Sequence, residues 1–372
     1  MKRKKAIVSV SNDLFTDQRV HKVCMFLVEH DFEVTLLGRF RKHSQPIENR
    51  PYQTKRFKLI ADKGALFYAA LNLRLFFYLL THKADVLVSN DLDTLLANYA
   101  ASKFKGSTKL VYDSHEMFTE VPELQNRKTV RNIWKGIEAW ILPRIKYRYT
   151  VNESIANYYQ NLYHLKFHVV RNVAPKWNPS DIASKAALGI PEHKFIVILQ
   201  GAGINVDRGA EEAIEAITKI QDTVLLIVGD GDVIPALKEM VKANGYEDQV
   251  YFFGKRPYQE MMQYTHHADL GLSFDKPNNP NYINSLPNKI FDYIHAQTPI
   301  ISSNIKEIRH IIETYQVGEI VEEHSIENLK TVLEKLKNNP SYLEQLKNNC
   351  ASAANALSWE NELEQLKKIY EV

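Results

Sequence analysis

Short apolar runs alternate with helix-forming segments along the chain, and the alternation begins a second time near the middle. In the first half, runs rich in β-branched and aromatic residues lie at 6–10, 33–37, 85–89, 110–112 and 149–151. Runs of this length that are separated by helical segments are typical of parallel βαβ units rather than of hairpins. The pattern predicts an α/β protein whose chemistry lies in the loops at the carboxyl ends of the strands.

A segment with two prolines, Pro175 and Pro179, separates the first alternation from the second. Beyond it lie further strand-like runs, at 195–199, 224–228, 250–253, 270–272 and 299–302. The length of 372 residues agrees with two domains, because one domain has about 100–200 residues. We therefore expect two Rossmann-like lobes with a cleft between them. The expected parts are an N-terminal domain at 1–175, a C-terminal domain at 176–352, and a helix at 353–372 that crosses back to pack on the N-terminal domain.

Charge and cysteine content argue against several classes of protein. A formal net charge of +3 gives no basis for a general nucleic-acid-binding protein. The two cysteines, Cys24 and Cys350, lie far apart, and no metal-ligand spacing surrounds either of them. The apolar run near the basic N-terminus is too short for a secretory signal, and Asn72 and Arg74 interrupt the longest apolar segment. We expect a cytoplasmic protein without a bound metal ion or cofactor.

The segment Gln200 to Gly209 follows the first strand-like run of the second half and precedes a helical segment. Gly201 and Gly203 allow backbone amides to approach a phosphate, and the N-terminus of the following helix favours an anion. Arg208 adds a cation with a forked set of donors. These residues predict a phosphate site, and the alternative is an ordinary turn with Arg208 in solvent. A second turn, with Gly231, ends the next run and either contacts the nucleoside or serves the turn alone.

A helix start is predicted at 286–289, where a proline stands near the first turn. The amides of Ser285 and Leu286 would then point at a bound diphosphate. Asp292 follows Asn288 by one helical turn, so its carboxylate can face the same site and accept both hydroxyls of a ribose. The alternative is a surface acid on an amphipathic helix, which the apolar neighbours of Asp292 make the weaker interpretation.

Polar residues also follow the strand-like runs of the first half. His115 lies just after one run, beside Asp113 and Glu116, where it could hydrogen-bond a sugar or relay a proton. A structural role is the alternative for this histidine. Asp13 and Asp17 follow the first run and are candidates for contact with an acceptor, although capping a helix is the more ordinary role for Asp17.

Taken together, these segments resemble the retaining glycosyltransferases of family 4, which have the GT-B fold of two Rossmann-like domains. The resemblance covers nearly the whole chain and is strongest over 195–321. In the first half, the matching motifs are Asp17-Gln18-Arg19-Val20 and Asp113-Ser114-His115-Glu116. The resemblance implies that the C-terminal domain holds a nucleotide-diphosphate sugar as donor, with no further cofactor.

The resemblance also implies roles for single residues. Arg208 matches the position of a phosphate-binding lysine, Asp292 matches a ribose-binding glutamate, and His115 matches a histidine near the donor sugar. Ser285 and Leu286 match backbone donors to the diphosphate, and the segment 251–257 matches the region that holds the base.

Two positions depart from the family pattern. Asn284 stands where the family has the first acid of a pair, and it can hydrogen-bond a sugar hydroxyl but carries no charge. Ala202 stands where the family has a phosphate-binding arginine, and Lys289 is the candidate to replace that cation.

By this resemblance, we expect a hexosyltransferase that moves a sugar from a UDP- or GDP-sugar to a saccharide or lipid-linked acceptor with retention. His115, Arg208 and Lys289 are the expected catalytic residues, and the two cations would stabilise the leaving diphosphate in place of a metal ion. The expected pathway is the synthesis of a surface polysaccharide or glycoconjugate. The alternatives are a non-catalytic nucleotide-sugar-binding subunit, suggested by Asn284 and Ala202, and a sugar-nucleotide epimerase of the same fold.

Two segments of the first half suggest peripheral docking on the inner face of the plasma membrane. Basic and aromatic residues interleave over 126–149, and the segment 66–80 is rich in Leu, Phe and Tyr. Such helices can bind an anionic membrane surface, where a lipid-linked acceptor would lie. The alternative is that the apolar positions form the domain core and the basic residues are solvated.

Overall fold

The computed structural model describes residues 3–15, 17–42, 44–47, 49–177, 179 and 181–372. The described chain divides into two compact units, Met1–Asn172 with Leu363–Val372, and Val173–Glu362. Each unit holds a parallel β-sheet with helices around it and its own hydrophobic core. The expectation of an α/β protein with two Rossmann-like domains is confirmed.

The first sheet has its most apolar strands at its centre. Within the described residues it has seven strands, β1 (Lys4–Ser9), β2 (Phe32–Phe40), β3 (Gln53–Lys58), β4 (Val86–Asn90), β5 (Lys109–Ser114), β6 (Tyr147–Thr150) and β7 (His168–Val169). Their order across the sheet is β3-β2-β1-β4-β5-β6-β7, and the pairings are parallel. The strand order reverses between β1 and β4, which is the point where such sheets bind ligands.

The helices of the first unit pack apolar stripes on this sheet. They are α1 (Gln18–Glu29), α2 (Gly64–Thr81), α3 (Leu92–Lys105), α4 (Pro122–Gln125), α5 (Lys128–Ile141) and α6 (Glu153–Tyr163), with 3₁₀ turns at Phe118–Glu120 and Leu142–Arg144. Helix α2 shows the principle, since Phe67, Leu71, Leu75 and Leu79 recur every turn and are buried.

The second sheet repeats the arrangement. In the part of the chain that the structure describes, it has six strands, β8 (Phe195–Gly201), β9 (Thr223–Gly229), β10 (Val250–Phe252), β11 (Leu270–Ser273), β12 (Ile300–Ser303) and β13 (Gly318–Val321). Their order is β10-β9-β8-β11-β12-β13, again with parallel pairings. The order reverses between β8 and β11, so the loop after β8 lies at the ligand-binding point of this sheet.

The remaining helices surround the second sheet and form the C-terminus. They are α7 (Lys185–Leu188), α8 (Ala210–Ile217), α9 (Ile234–Asn244), α10 (Tyr258–His267), α11 (Pro280–Ile283), α12 (Lys289–His295), α13 (Lys306–Tyr315), α14 (Ile326–Lys337), α15 (Pro340–Ala356) and α16 (Trp359–Tyr370). The end of α16 belongs to the first unit. There the Tyr370 ring lies 5.9 Å from that of Phe26, and Glu371 accepts a hydrogen bond from the Tyr147 hydroxyl at 2.8 Å.

Some edge strands escape prediction because they are polar or short. Strand β3 has the sequence Gln-Thr-Lys-Arg-Phe-Lys, and in it only Phe57 is buried. Strand β13 forms one edge of the second sheet, and Val321 is its buried residue. An edge strand is covered on fewer sides than a central strand, so it needs no continuous apolar run.

Candidate active site

Glycines allow the turns after β8 and β9 to pack against each other. Gly201 and Gly229 pair at the carboxyl ends of the two strands. A Cβ atom at Gly229 would lie 1.8 Å from the Gly201 carbonyl oxygen, and one at Gly231 would lie 2.0 Å from the Ile204 carbonyl oxygen. Any larger residue at these positions would force the turns apart. Gly231, which the sequence placed at the donor, therefore has a packing role.

Arg208 is positioned by a glycine and by a buried carboxylate. Gly209 has φ +77°, and a Cβ atom there would lie 2.1 Å from the Phe274 carbonyl oxygen. The Arg208 guanidinium donates a hydrogen bond to the fully buried Asp275 and lies 4.2 Å from the centre of the Tyr282 ring. Burial lowers the pKa of Arg208, but Asp275 and Tyr282 outweigh it and raise the pKa overall. The guanidinium is therefore a fixed cation.

Lys289 supplies a second cation beside Arg208. It is the first residue of α12 and lines the same cavity as Arg208. Burial lowers the pKa of Lys289, Asp275 acts in the opposite direction, and the charge of Arg208 lowers the pKa further. An anion in the cavity would relieve this electrostatic cost, because an opposite charge favours the charged form of an amine.

Asp292 lines the same cavity and belongs to a hydrogen-bonded network. Its carboxylate accepts hydrogen bonds from the Tyr258 hydroxyl at 3.0 Å and from Gln200 Nε2 at 3.2 Å. The Thr265 hydroxyl donates in turn to the Gln200 side-chain oxygen. Burial, followed by the charge of Asp292, raises the pKa of Tyr258 well above its usual range, so the phenol stays a donor. The network holds the carboxylate in one orientation.

These groups line one cavity of about 330 Å³ at the carboxyl end of β8. Its lining residues are Leu199, Gln200, Gly201, Ala202, Gly203, Ile204, Arg208, Met261, Pro287, Asn288, Lys289 and Asp292. The structure thus brings together most of the residues that the sequence assigned to the phosphates and the ribose. The lining combines two basic side chains with a carboxylate, which suits a ligand with an anionic group and a neutral polyol.

The segment before α12 requires a correction. The Ser285 amide donates to the Tyr282 carbonyl at 3.1 Å, so it is not free to bind a diphosphate as predicted. The Asn284 side chain donates to the Pro280 carbonyl at 2.7 Å and ends the short helix α11. Neither residue, nor Leu286, lines the cavity. The tight turn uses local polar groups that the sequence had assigned to the ligand.

A second charged cluster lies in the first unit around His115. Its Nδ1 atom is 3.2 Å from the Asp91 carboxylate, and its Nε2 atom is 3.1 Å from the Asp113 carboxylate. The Nε2 contact is an ion pair rather than a straight hydrogen bond. Burial lowers the pKa of His115, but the two carboxylates outweigh it and raise the pKa to about 9. The carboxylates are Asp91 and Asp113, which corrects the expectation that Glu116 is the second acid beside His115.

Arg19 completes the cluster from α1. It donates to both oxygens of the fully buried Asp113, at 3.0 Å and 2.8 Å, and to the Val170 carbonyl at 2.8 Å. Burial raises the pKa of Asp113, but Arg19 and then His115 outweigh it and lower the pKa to about 2. The cluster ties α1, β5 and the end of β7 together. Among the described residues, no group of His, Cys, Asp or Glu is suited to hold a metal ion.

The two acids of the first loop have local partners. The Asp17 side chain accepts a hydrogen bond from the Val20 amide at 3.1 Å and caps α1, as predicted. The Asp13 carboxylate accepts hydrogen bonds from Ser44 and from Arg56, the latter at 3.3 Å. Structural bonds thus engage both acids in this structure, and their contact with an acceptor stays a prediction.

Family comparisons agree with this geometry. The profile of the group 1 glycosyl transferases matches residues 181–353, and the profile of Glycosyltransferase Family 4 matches residues 17–174. The chain belongs to the group 1, family 4 type of glycosyltransferases. The first match contains the cavity of Arg208 and Lys289, and the second contains the His115 cluster. The comparison with curated protein sequences finds no match.

Solved structures share the fold of this glycosyltransferase over nearly its whole length. Sucrose-phosphate synthase from Thermosynechococcus elongatus has a TM-score of 0.81 at 16% identity, with 99% of this chain and 98% of that chain covered. Anabaena HepE in complex with UDP has a TM-score of 0.74 at 15% identity, with 99% of both chains covered. WaaG, a glycosyltransferase involved in lipopolysaccharide biosynthesis, has a TM-score of 0.69 at 16% identity, with 98% and 99% covered. These likenesses establish the GT-B fold.

Sequence reasoning missed several groups that complete the two clusters of the glycosyltransferase. Asp275 follows β11 and Asp91 follows β4, so each carboxylate lies just after a strand. Their positions just after strands could have identified both residues, because polar side chains at these positions meet at one edge of the sheet. Gln200 and Tyr258 orient Asp292. Gln200 begins the glycine-containing segment, but no motif in the sequence indicates that either residue contacts Asp292.

Proposed function

We propose that this glycosyltransferase moves a hexose from a UDP- or GDP-sugar to a saccharide or lipid-linked acceptor, with retention at the anomeric carbon. The observation that carries the proposal is the cationic cavity of the second unit. Arg208 and Lys289 both line it, and Asp275 pairs with Arg208, whereas Lys289 makes no ion pair with a described residue. A lysine without an ion-pair partner beside glycine-rich backbone is the chemistry that binds a diphosphate.

The donor would lie along the cavity with its diphosphate at Arg208 and Lys289 and its ribose at Asp292. No described group accepts a hydrogen bond from the amides of Ala202 and Gly203, which line the cavity and suit the phosphate oxygens. We take UDP as the first choice of base by analogy, since Anabaena HepE has been solved with UDP and with UDP-glucose. GDP is the second choice.

In the transfer, the bond between the anomeric carbon and the diphosphate oxygen breaks, and the diphosphate leaves with the electron pair. The acceptor hydroxyl forms the new bond on the same face of the sugar, and its proton passes to the departing diphosphate oxygen. Arg208 and Lys289 would stabilise the charge that develops on the leaving oxygen, because they are held in place before the reaction begins. Two fixed cations can supply this stabilisation, so we propose that the reaction needs neither a divalent ion nor another cofactor.

We propose that His115 contributes to turnover as a hydrogen-bond donor and not as a proton relay. Both ring nitrogens face carboxylates and the raised pKa keeps the ring protonated, so it is a poor base at neutral pH. The His115 side chain is 21% exposed, so its ring can contact a sugar that binds beside it. Leu286 and Asn284 stay secondary candidates for contact with the donor. The cellular setting that we propose is the cytoplasm, in the synthesis of a surface polysaccharide or glycoconjugate.

A panel of nucleotide sugars tests the proposal. We expect one base class to raise the thermal unfolding midpoint, because binding to the native state stabilises it. The same donor should be consumed with release of the nucleoside diphosphate, in the presence of EDTA as in its absence, and the product should keep the anomeric configuration. Binding without turnover across a panel of saccharide and lipid-linked acceptors would indicate a binding subunit instead. Interconversion of free nucleotide sugars without an acceptor would indicate an epimerase.

A further inference from the structure

Helix α2 leaves an apolar face uncovered. Among the described helices, it is the one long and apolar enough to cross a membrane by length and composition, with a mean hydropathy of 1.4 and 22% of its residues buried. Its buried stripe fixes it on the first sheet as part of a folded domain. The opposite stripe is also apolar, and Leu73 is 59% exposed and Phe77 56% exposed. A helix that is apolar all round needs a second apolar environment.

The exposed face continues beyond the helix. Leu66, two turns before Leu73 and three before Phe77, is also exposed, and Ile60 in the preceding loop is 78% exposed. Phe104 at the end of α3 is exposed and packs edge-on against Phe76 of α2. The loop and α2 enclose a shallow groove of about 390 Å³. We call the surface formed by Ile60, Leu66, Leu73, Phe77 and Phe104 the α2 face.

The charges around the α2 face have one dominant sign. Lys58 and Arg74 line the groove, and no carboxylate of the described chain lines it. Over residues 55–83 the sequence has one acid, Asp62, and the basic residues Lys55, Arg56, Lys58, Lys63, Arg74 and Lys83. Exposed apolar side chains with a rim of lysine and arginine are the composition of a helix that lies in the interface of an anionic bilayer.

The other candidate segment uses its charges within the fold. Arg131 and Lys135 of α5 form ion pairs with Glu120, and Arg148 donates to the carbonyls of Leu142 and Ile145. The basic residues of 126–149 are therefore partly engaged. This segment also exposes Val130, Ile133 and Trp140 of α5, and Ile133 is 59% exposed.

From these observations we infer that the α2 face docks on an anionic lipid bilayer, with Leu66, Leu73 and Phe77 inserted among the acyl chains and Lys58 and Arg74 at the headgroups. A second copy of the chain fits less well. A symmetric dimer would bring the same patch of both copies together, so their basic rims would repel each other. Lysine and arginine on such a surface can extend their charges to the phosphates while their stems stay in the apolar layer. The inference goes beyond the proposed transfer reaction, because it concerns a surface of the first unit and holds for any donor.

Vesicle binding of the intact protein tests this inference. The probes are vesicles of phosphatidylcholine alone and vesicles that also contain phosphatidylglycerol, sedimented with the protein in the absence of donor. We expect the wild type to bind the anionic vesicles and to be released by salt. Leu73→Glu should lower the partition coefficient by roughly tenfold or more, since burying one such side chain in an apolar layer has about that value.

The controls separate this surface from others and from misfolding. Ile133→Glu removes an equally exposed apolar residue on α5 and adds the same charge, and it should leave vesicle binding nearly unchanged. Leu73→Gln repeats the test without the added charge, and Lys58→Gln with Arg74→Gln should weaken binding to anionic vesicles only. Circular dichroism and the thermal midpoint show whether each variant is folded.

Two results would overturn the inference. One is a wild-type protein that stays in the supernatant with anionic vesicles. This result includes the case in which the wild type is a stable dimer and Leu73→Glu converts it to a monomer. The other is an Ile133→Glu variant that loses binding as strongly as Leu73→Glu. Because no nucleotide sugar is present, neither result bears on the proposed transfer, and a failure of the donor panel leaves the vesicle experiment unaffected.

Discussion

The two charged clusters of this glycosyltransferase differ in how completely their charges are balanced. In the first unit, Arg19 and protonated His115 both contact the Asp113 carboxylate, and His115 also contacts Asp91, whose pKa burial raises to about 7. In the second unit, Arg208 pairs with Asp275, whereas Lys289 makes no ion pair with a described residue. We call the first cluster balanced, because each of its cations contacts a carboxylate, and the second unbalanced, because Lys289 contacts none.

This difference separates a cluster that holds the fold from one that awaits a substrate. Buried charges are costly unless they are paired, so the balanced cluster around Asp113 is expected to stabilise its domain. The unbalanced cluster lies in an open cavity with glycines around it, where Lys289 can attract a diphosphate. Stability and nucleotide binding should therefore divide between the two clusters.

The largest effect is expected for Arg19→Ala in the balanced cluster. Removing one partner of a buried, doubly hydrogen-bonded pair should cost about 3–5 kcal/mol of unfolding free energy, because the Asp113 charge is left buried without Arg19. Urea unfolding measures this loss. The affinity of any surviving folded protein for UDP should be unchanged. A strong loss of UDP affinity with unchanged stability would contradict the division.

Arg208→Ala should weaken nucleotide binding and leave the stability of the fold nearly unchanged. Charge-assisted hydrogen bonds contribute about 1.5–3 kcal/mol each, so the Kd for the donor nucleotide should rise roughly 10- to 100-fold. Calorimetric titration measures the change. Lys276→Ala is the matched control, since Lys276 is a partly exposed cation that pairs with Asp207 and Glu212 and does not line the cavity. Equal losses in both variants would mean that general positive charge, and not this site, binds the nucleotide.

Asp292→Asn should separate the binding of the ribose from the binding of the diphosphate. The nucleotide should bind about tenfold more weakly, because the carboxylate no longer accepts charged hydrogen bonds from the ribose. Inorganic pyrophosphate should compete with the same affinity in the variant as in the wild type. If pyrophosphate binding fell in parallel, Asp292 would lie at the phosphates and the proposed orientation of the donor would be reversed.

The contribution of the balanced cluster to the unfolding free energy should depend on pH. The pKa of His115 is raised from 6.5 to about 9 in the folded protein, and the pKa of Asp113 is lowered to about 2, so this charged pair stabilises the fold fully below pH 6.5. This stabilisation should be lost as the pH rises through 9. The difference in unfolding free energy between wild type and His115→Gln should therefore be larger at pH 6.5 than at pH 9. In turnover assays, His115→Gln should lower kcat more than it changes nucleotide affinity.

The smallest effect is expected for Asp17→Ala. Loss of the helix cap should reduce stability by about 1 kcal/mol, as is usual for such caps. A thermal melt measures this change, and Asp17→Asn, which can still cap the helix, is the control. If Asp17→Asn keeps full stability and nevertheless raises the KM for the acceptor, then Asp17 has the additional role in acceptor binding that the sequence suggested.

Much of the cavity could be predicted because its main residues lie in segments with strong local preferences. Gly201, Gly203 and Arg208 follow a buried strand directly, and Asp292 lies one turn into a helix, so the sequence spacing alone indicates one edge of one sheet. The Ser285 amide was misassigned because a tight turn can use an amide that an extended segment would leave free. Such competition between local and ligand hydrogen bonds depends on the backbone conformation of a few residues.

The alternation of apolar runs and helical segments by itself determined two parallel α/β domains, since buried parallel strands must be apolar on both faces. Only the tertiary structure decided the partners of the charged groups. Asp91 and His115 are 24 residues apart, and Arg208 and Asp275 are 67 apart. They meet because parallel strands gather their carboxyl ends at one edge. The tertiary structure also decided that the α2 face is exposed, because the sequence does not show whether another element covers an apolar residue.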